Sequence, residues 1–126
     1  VIATTNTVKS GIFNDLVEEQ IECPLFVPLI EDGKIDSIEM ENAIKEYLHD
    51  KKIDNLIFGC THYPFLESKL KKYLGNINYI NMGDILANSI VLNDEYYKLD
   101  LYFSSLNDNI YKICARIFEN YEIKEV

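Results

Sequence analysis

The chain has 126 residues and a formal net charge of −9, from 21 acidic and 12 basic side chains. It lacks the clustered Lys and Arg that contacts with a nucleic-acid backbone require, and no apolar run approaches the roughly 18 residues of a membrane-spanning helix. We therefore expect no nucleic acid and no membrane among its partners.

Short apolar runs alternate with segments of helical period along the chain. In chain order, the predicted elements are strand 1–4, helix 7–20, strand 23–28, helix 37–50, strand 55–59, helix 64–74, strand 78–81, helix 84–92, strand 99–104 and helix 106–121. Ile12 and Leu16 share one face of the first helix, and Ser37 is placed to cap the second. This alternation indicates an α/β fold with a parallel sheet and flanking helices.

The start of the chain indicates whether it is complete, and its cysteines indicate the redox environment. Because residues 1–4 already read as a buried strand, we expect the chain to be a fragment of a longer protein. Its three cysteines, Cys23, Cys60 and Cys114, are spaced too widely for a disulfide framework or a paired metal site. Free thiols in a reducing cytoplasm are the simpler account, and we expect no bound metal.

The segment most suggestive of chemistry is the turn that holds Cys60, Thr61 and His62. It follows a predicted strand and precedes a helix start marked by Pro64, and α/β proteins bind ligands where strands end. Amide dipoles at a helix start favour a thiolate over a thiol. His62 is placed to donate a proton, orient a carboxylate or assist the thiol, whereas a buried and inert thiol is the alternative interpretation of Cys60.

Two further strand ends carry polar side chains. Thr4 and Thr7 end the first strand, where Thr7 or Asn6 would cap the following helix or, in the same geometry, hold a carboxylate. Glu31 follows an apolar run. It is either a loop carboxylate or a group that faces the same cleft and pairs with His62 or a substrate ammonium group.

Three stretches in order resemble bacterial glutamate racemase, of the aspartate/glutamate racemase superfamily: residues 3–11 (Ala-Thr-Thr-Asn-Thr-Val-Lys-Ser-Gly), 23–31 (Cys-Pro-Leu-Phe-Val-Pro-Leu-Ile-Glu) and 59–64 (Gly-Cys-Thr-His-Tyr-Pro). Residues 80–84 and the strand at 99–104 match the C-terminal part of that family more loosely, with Met82 where many members have Ser. The resemblance implies a two-lobed, pseudo-symmetric fold. Residues 1–83 would form the second lobe, and residues 84–126 would return to the first.

The resemblance also implies an isomerase that interconverts L- and D-glutamate without a cofactor and supplies D-glutamate for peptidoglycan, and so for the cell wall and cell shape. Two thiols act on opposite faces of the substrate α-carbon. Cys60 matches the thiol that removes the proton from L-glutamate, and His62 assists it. Thr61, like His62, matches a substrate contact, Thr4 and Thr7 match positions that hold the carboxylate, and Glu31 acts through His62.

One departure from the family is large. The family's first half carries an Asp-Ser pair near its start and a Cys-Asn-Thr segment with the other thiol; this chain has no Asp-Ser pair near its start and no Cys-Asn-Thr segment. Cys23 and Cys114 read instead as small core residues. We therefore expect the chain alone to be inactive. A racemase of another acidic amino acid and a non-catalytic carboxylate-binding module are the alternatives. Glutamate is the expected small-molecule partner, and a homodimer is an arrangement that the sequence allows.

Overall fold

A computed structural model describes residues 1–90 and 98–126 of the chain. The sequence at residues 93–98 is polar and rich in Tyr and predicts an exposed loop. Most of that loop, and the end of the helix predicted at residues 84–92, lie outside the described part.

The described residues form two compact units, Val1–Ser89 and Ile90–Val126. The predicted division into residues 1–83 and 84–126 concerns the lobes of a larger fold, so it stays a prediction.

The first unit alternates parallel strands with helices. Its elements are β1 (Ile2–Ala3), α1 (Thr5–Lys9), β2 (Ile21–Glu22), α2 (Phe26–Glu31), α3 (Ile38–Leu48), β3 (Asn55–Ile57), a 3-10 helix (Tyr63–Leu66), α4 (Glu67–Leu74), β4 (Asn78–Ile80) and α5 (Met82–Ser89). Strand β1 pairs with β2, β3 pairs with β4, and a bridge from Ile2 to Phe58 joins the two pairs. The strand order is therefore β2-β1-β3-β4, and the predicted α/β fold class is confirmed.

The core of the first unit joins strand residues to residues of the helices. Buried side chains come from β1, from β3 and the bridge residue after it, and from α2, α3, the 3-10 helix and α4; they include Ile2, Phe26, Ile30, Met40, Ala43, Ile44, Leu48, Leu56, Phe58, Tyr63, Leu66 and Leu70. In α3 the buried positions recur at the helical period, and the Ser37 hydroxyl accepts a hydrogen bond from the Met40 amide at 3.2 Å. The prediction for α3 is thus confirmed.

The long helix predicted at residues 7–20 is wrong. Helix α1 ends at Lys9, because Gly11 adopts φ 71° and the Gly11 amide donates to the Val8 carbonyl at 3.0 Å. A left-handed glycine directly after the last turn is a common helix stop. Ile12 and Leu16, predicted to share one face of that helix, are 67% and 73% exposed.

The strand predicted at residues 23–28 is also wrong, because β2 is confined to Ile21–Glu22 and half of that stretch belongs to α2. Phe26 and Ile30 are one helical turn apart and both are buried. Pro28 lies in the first turn of α2, where its missing amide removes no intrahelical hydrogen bond. An apolar run of this length fits a short helix and a strand equally well.

The second unit contains β5 (Asp100–Phe103), α6 (Asp108–Ile117) and β6 (Glu122–Glu125), and its two strands are parallel. Asn107 caps α6 by accepting hydrogen bonds from two amides at 3.0 Å. The predicted helix at residues 106–121 is too long, because the backbone becomes extended at Phe118. Strand β6 was not predicted, since its sequence is short and mostly charged.

Candidate active site

The polar strand ends meet where the order of the sheet reverses. Strand β1 has β2 on one side and β3 on the other, so the carboxyl ends of β1 and β3 flank the switch point, where α/β proteins bind ligands. Thr4 directly follows β1, and Cys60 follows the bridge residue Phe58 by two positions. The Gly59 amide donates to the Ile2 carbonyl at 2.9 Å, which holds the two strand ends together.

Cys60 opens onto a cavity of about 410 Å³. The cavity is lined by Phe13, Phe58, Gly59, Cys60, Thr61, Pro64, Asn81, Met82 and Gly83. The thiol is partly exposed, and Thr61 is exposed beside it. A small molecule therefore has access to the Cys60 sulfur.

A chain of polar contacts leads away from the thiol. The Cys60 Sγ lies 3.8 Å from His62 Nδ1, and His62 Nε2 lies 3.2 Å from Glu31 Oε1. The carboxylate orients the imidazole through one nitrogen and leaves the other facing the sulfur. This is the arrangement of an activated nucleophile or base: a reactive group, a ring that exchanges its proton and a group that orients the ring.

The turn itself is held by backbone hydrogen bonds. The Tyr63 amide donates to the Cys60 carbonyl at 3.2 Å, and the Phe65 amide donates to the His62 carbonyl at the same distance. Pro64 lies in the first turn of the 3-10 helix, where it needs no donor. Residues 60–65 thus form a tight turn in which the Cys60 and His62 side chains face each other.

Thr4 and Thr7 lie at the adjacent strand end and cap α1. The Thr4 hydroxyl accepts from the Thr7 amide at 3.3 Å, and the two hydroxyl oxygens are 3.0 Å apart. The expectation that Thr7 or Asn6 supplies the cap is wrong, because Thr4 supplies it. Both hydroxyls are partly exposed, so the capping geometry is compatible with a bound carboxylate.

The other two cysteines are buried, as predicted. Cys23 is 0% exposed and Cys114 is 4% exposed. Burial raises the pKa of the Cys23 thiol to about 12, so this thiol stays neutral at physiological pH. Of the three cysteines, all within the described residues, Cys60 alone is accessible.

The structure brings four predicted residues into one group, since Cys60, Thr61, His62 and Glu31 are linked by contact or by a shared cavity. Thr4 and Thr7 lie at the neighbouring strand end and do not line that cavity. Phe13 lines it but was not predicted, because the sequence placed it inside a long helix. The catalytic and substrate-binding roles of all six predicted residues stay predictions.

In the described ranges no three His, Cys, Asp or Glu side chains cluster closely enough to hold a metal ion. Across those same ranges no helix is long and apolar enough to cross a membrane.

Fold and site define an α/β protein with a thiol–imidazole–carboxylate chain at the switch point of its sheet. The sequence is 37% identical over 121 residues to the glutamate racemase of Aquifex pyrophilus, covering 87% of this chain and 48% of that protein. No family model matches the chain.

The solved structures that resemble this chain are also glutamate racemases. The glutamate racemase of Thermus thermophilus, in complex with beta-chloro-D-alanine, matches 99% of this chain and 54% of its own, with a TM-score of 0.72 and 25% identity. The Francisella tularensis glutamate racemase, in complex with D-glutamate, matches 99% of this chain and 56% of its own, with a TM-score of 0.73 and 24% identity, a likeness of fold. The chain is thus a homologue of glutamate racemases, and it spans about half the length of the curated relatives it matches.

Proposed function

We propose that this chain supplies one of the two thiols of a cofactor-independent glutamate racemase. The observation that carries the proposal is the run of contacts from Cys60 through His62 to Glu31, which opens onto the cavity at the switch point. Homology to glutamate racemases supports glutamate as the substrate.

In the proposed mechanism the Cys60 thiolate removes the α-proton of L-glutamate. The electron pair stays on the α-carbon, which becomes planar, and a second thiol on the opposite face returns a proton to give D-glutamate. This step leaves a Cys60 thiol and a second thiolate, which is the state that the reverse reaction needs. Before another L-glutamate is converted, Cys60 loses its proton and the second thiolate gains one by exchange with solvent. An acid and a base on opposite faces are what inversion at one carbon requires.

The other site residues act on the substrate and on the proton of Cys60. His62, oriented by Glu31, accepts and returns that proton. Thr61 and His62 contact the substrate, and Thr4 and Thr7 hold its carboxylate through their hydroxyl groups. Hydrogen bonds to a carboxylate fix the substrate so that its α-carbon faces the sulfur.

The second thiol lies outside this chain in the proposed enzyme. Cys23 is buried and held neutral, and Cys114 is also buried. We therefore propose that the 126 residues do not racemise glutamate alone. In the cell, the complete protein would make D-glutamate for peptidoglycan in the cytoplasm and so sustain the cell wall and cell shape.

The proposal is tested with Cys60→Ser in the complete protein that contains this chain. A serine hydroxyl is far less acidic than a thiol, so racemisation followed by circular dichroism should fall at least a thousandfold, while glutamate binding by calorimetry persists. Cys23→Ser serves as the control for thiol loss away from the cavity. Normal turnover in Cys60→Ser would refute the role of Cys60.

The same variant tests the cellular role. A strain whose only copy carries Cys60→Ser should require added D-glutamate for growth. Turnover of aspartate in preference to glutamate by the wild-type protein would favour a related racemase. Binding of glutamate with no turnover by the wild-type protein would favour a carboxylate-binding module.

A further inference from the structure

Tyr63, which follows the Cys60–His62 turn, is the largest fully buried side chain of the chain's described part. Its hydroxyl donates to the Cys23 carbonyl at 2.8 Å, and its amide donates to the Cys60 carbonyl at 3.2 Å. Burial raises the pKa of Tyr63 well above its ordinary value, and the nearby thiols of Cys23 and Cys60 raise it further, by a smaller amount. The phenol therefore stays protonated and able to donate. Tyr63 thus fastens the turn that holds Cys60 to the chain just after β2.

The ring of Tyr63 makes a second contact, with the helix that carries Glu31. Its edge packs against Phe26 at a centroid distance of 5.3 Å and an interplanar angle of 77°. Phe26 is the first residue of α2, and Glu31 is the last. Edge-to-face pairs of this kind are stabilising beyond the area that they bury. One side chain therefore contacts both the segment that holds Cys60 and His62 and the helix that holds Glu31.

These contacts matter because the polar chain spans two separate elements. Glu31 is 60% exposed and His62 is 35% exposed, so their contact has little burial of its own to hold it in place. Exposed ion pairs contribute little by themselves. The relative position of α2 and the turn must therefore be set by the side chains packed beneath them. Tyr63 is one of these buried side chains.

We propose that Tyr63 is a positioning residue that keeps Glu31, His62 and Cys60 in line. Its hydroxyl bonds the Cys60 turn to the chain just after β2, and its ring packs on the start of α2. The inference rests on the proposed function, because it assigns a cause to the geometry on which that function depends. Tyr63 acts through His62 and Glu31 and touches no substrate.

The direct test measures the accessible thiol, so that it does not depend on racemisation. Iodoacetamide labels the complete protein at pH 7, and mass spectrometry follows the peptide that contains Cys60. Tyr63→Phe keeps the ring and removes the hydroxyl. The labelling rate of Cys60 should fall about fivefold, the effect of one lost hydrogen bond on the population of the aligned site.

A double-mutant cycle separates positioning from general destabilisation. If Tyr63 acts through the Glu31–His62 contact, Tyr63→Phe should have no further effect on Cys60 labelling in a Glu31→Gln background. Tyr47→Phe is the matched control, because Tyr47 also packs its ring on Phe26, at 5.4 Å, while its hydroxyl interacts with the Leu25 backbone and not with the turn. It should leave the labelling rate unchanged.

Unchanged Cys60 labelling in folded Tyr63→Phe, or additive effects in the double mutant, would overturn the proposal. Should Tyr63→Phe fail to fold, Phe26→Leu removes the ring contact from the other side and should slow labelling likewise; an unchanged rate there would overturn it equally. Racemisation is measured in parallel. If labelling is slower in Tyr63→Phe but the wild-type protein never racemises glutamate, the proposed function is refuted and the positioning role of Tyr63 stands.

Discussion

At the scale of single residues, burial separates the thiols by their chemistry. Cys60 ends at a cavity beside an imidazole, while the Cys23 thiol is enclosed by core side chains and its hydrogen donates weakly to the Ile21 carbonyl at 3.7 Å. A buried thiol loses the hydration that would stabilise its thiolate. The same residue type therefore serves as a reactive group at one position and as a small apolar side chain at another.

The raised pKa of Cys23 predicts a loss of stability at alkaline pH. Burial raises this pKa from 9.0 to about 12. The unfolded chain therefore loses the thiol proton first, and the stabilisation present below pH 9 declines as the pH rises toward 12. The difference in unfolding free energy between wild type and Cys23→Ala should shrink by roughly 2 kcal/mol between pH 8 and pH 11.

Comparison with Cys23→Ala isolates the Cys23 thiol, because the two proteins have every other side chain in common. Urea denaturation at several pH values measures the difference. A difference that stays constant over this range would show that Cys23 is not held neutral by the fold.

At the scale of elements, the close approach of β1 and β3 fixes where Cys60 lies. A methyl group built on Gly59 would stand 2.9 Å from Val1 Cγ2 and 3.0 Å from both Ala3 Cβ and the Ile2 carbonyl oxygen. Contacts this short leave no room for a side chain, since one of the neighbours is backbone. Glycine at the start of the motif is therefore required by the sheet as well as by the turn.

Gly59→Ala should destabilise the first unit by about 2 kcal/mol, because overpacking forces the two strands apart. Thermal and urea unfolding measure the loss. Gly83→Ala is the control: its methyl group would meet only the Asn81 side chain, at 3.2 Å, and alanine is favoured over glycine in a helix, so its stability should not fall below that of wild type. Wild-type stability in Gly59→Ala would mean that the strands do not approach this closely.

Local signals explain which elements could be predicted from the sequence. The helix that begins after Ser37 carries its cap and its apolar period within one segment, so both were foreseen. The short helix that begins at Phe26 was not, because its apolar run has no period long enough to distinguish a helix from a strand. The stop at Gly11 was missed because a glycine alone does not reveal its φ angle.

The site was predictable in part for a similar reason. Cys60 and His62 are neighbours in sequence, and their position after a strand indicates a ligand site by general rules. For Glu31 the sequence left two interpretations open, a loop carboxylate or a group that faces the cleft. Its contact with His62 depends on the packing of α2 against the turn. Phe13 and Tyr63 had no chemical signal, since aromatic side chains are usually core residues.

At the scale of the whole molecule, the chain contains one accessible thiol and about half the length of its relatives. Racemisation by two thiols needs groups on both faces of one carbon. Each half of such a site is chemically incomplete, even when its own side chains are correctly arranged. We therefore predict that the chain folds with a reactive Cys60 and does not turn over glutamate.

The most direct measurement is an assay of the purified 126-residue chain with L-glutamate, with D-glutamate quantified by chiral chromatography. Circular dichroism and labelling of Cys60 first establish that the chain is folded with its thiol accessible. We predict no D-glutamate above the level seen with Cys60→Ser. Formation of D-glutamate by the wild-type chain, abolished by Cys60→Ser, would contradict the claim that this chain carries one thiol of a two-thiol site.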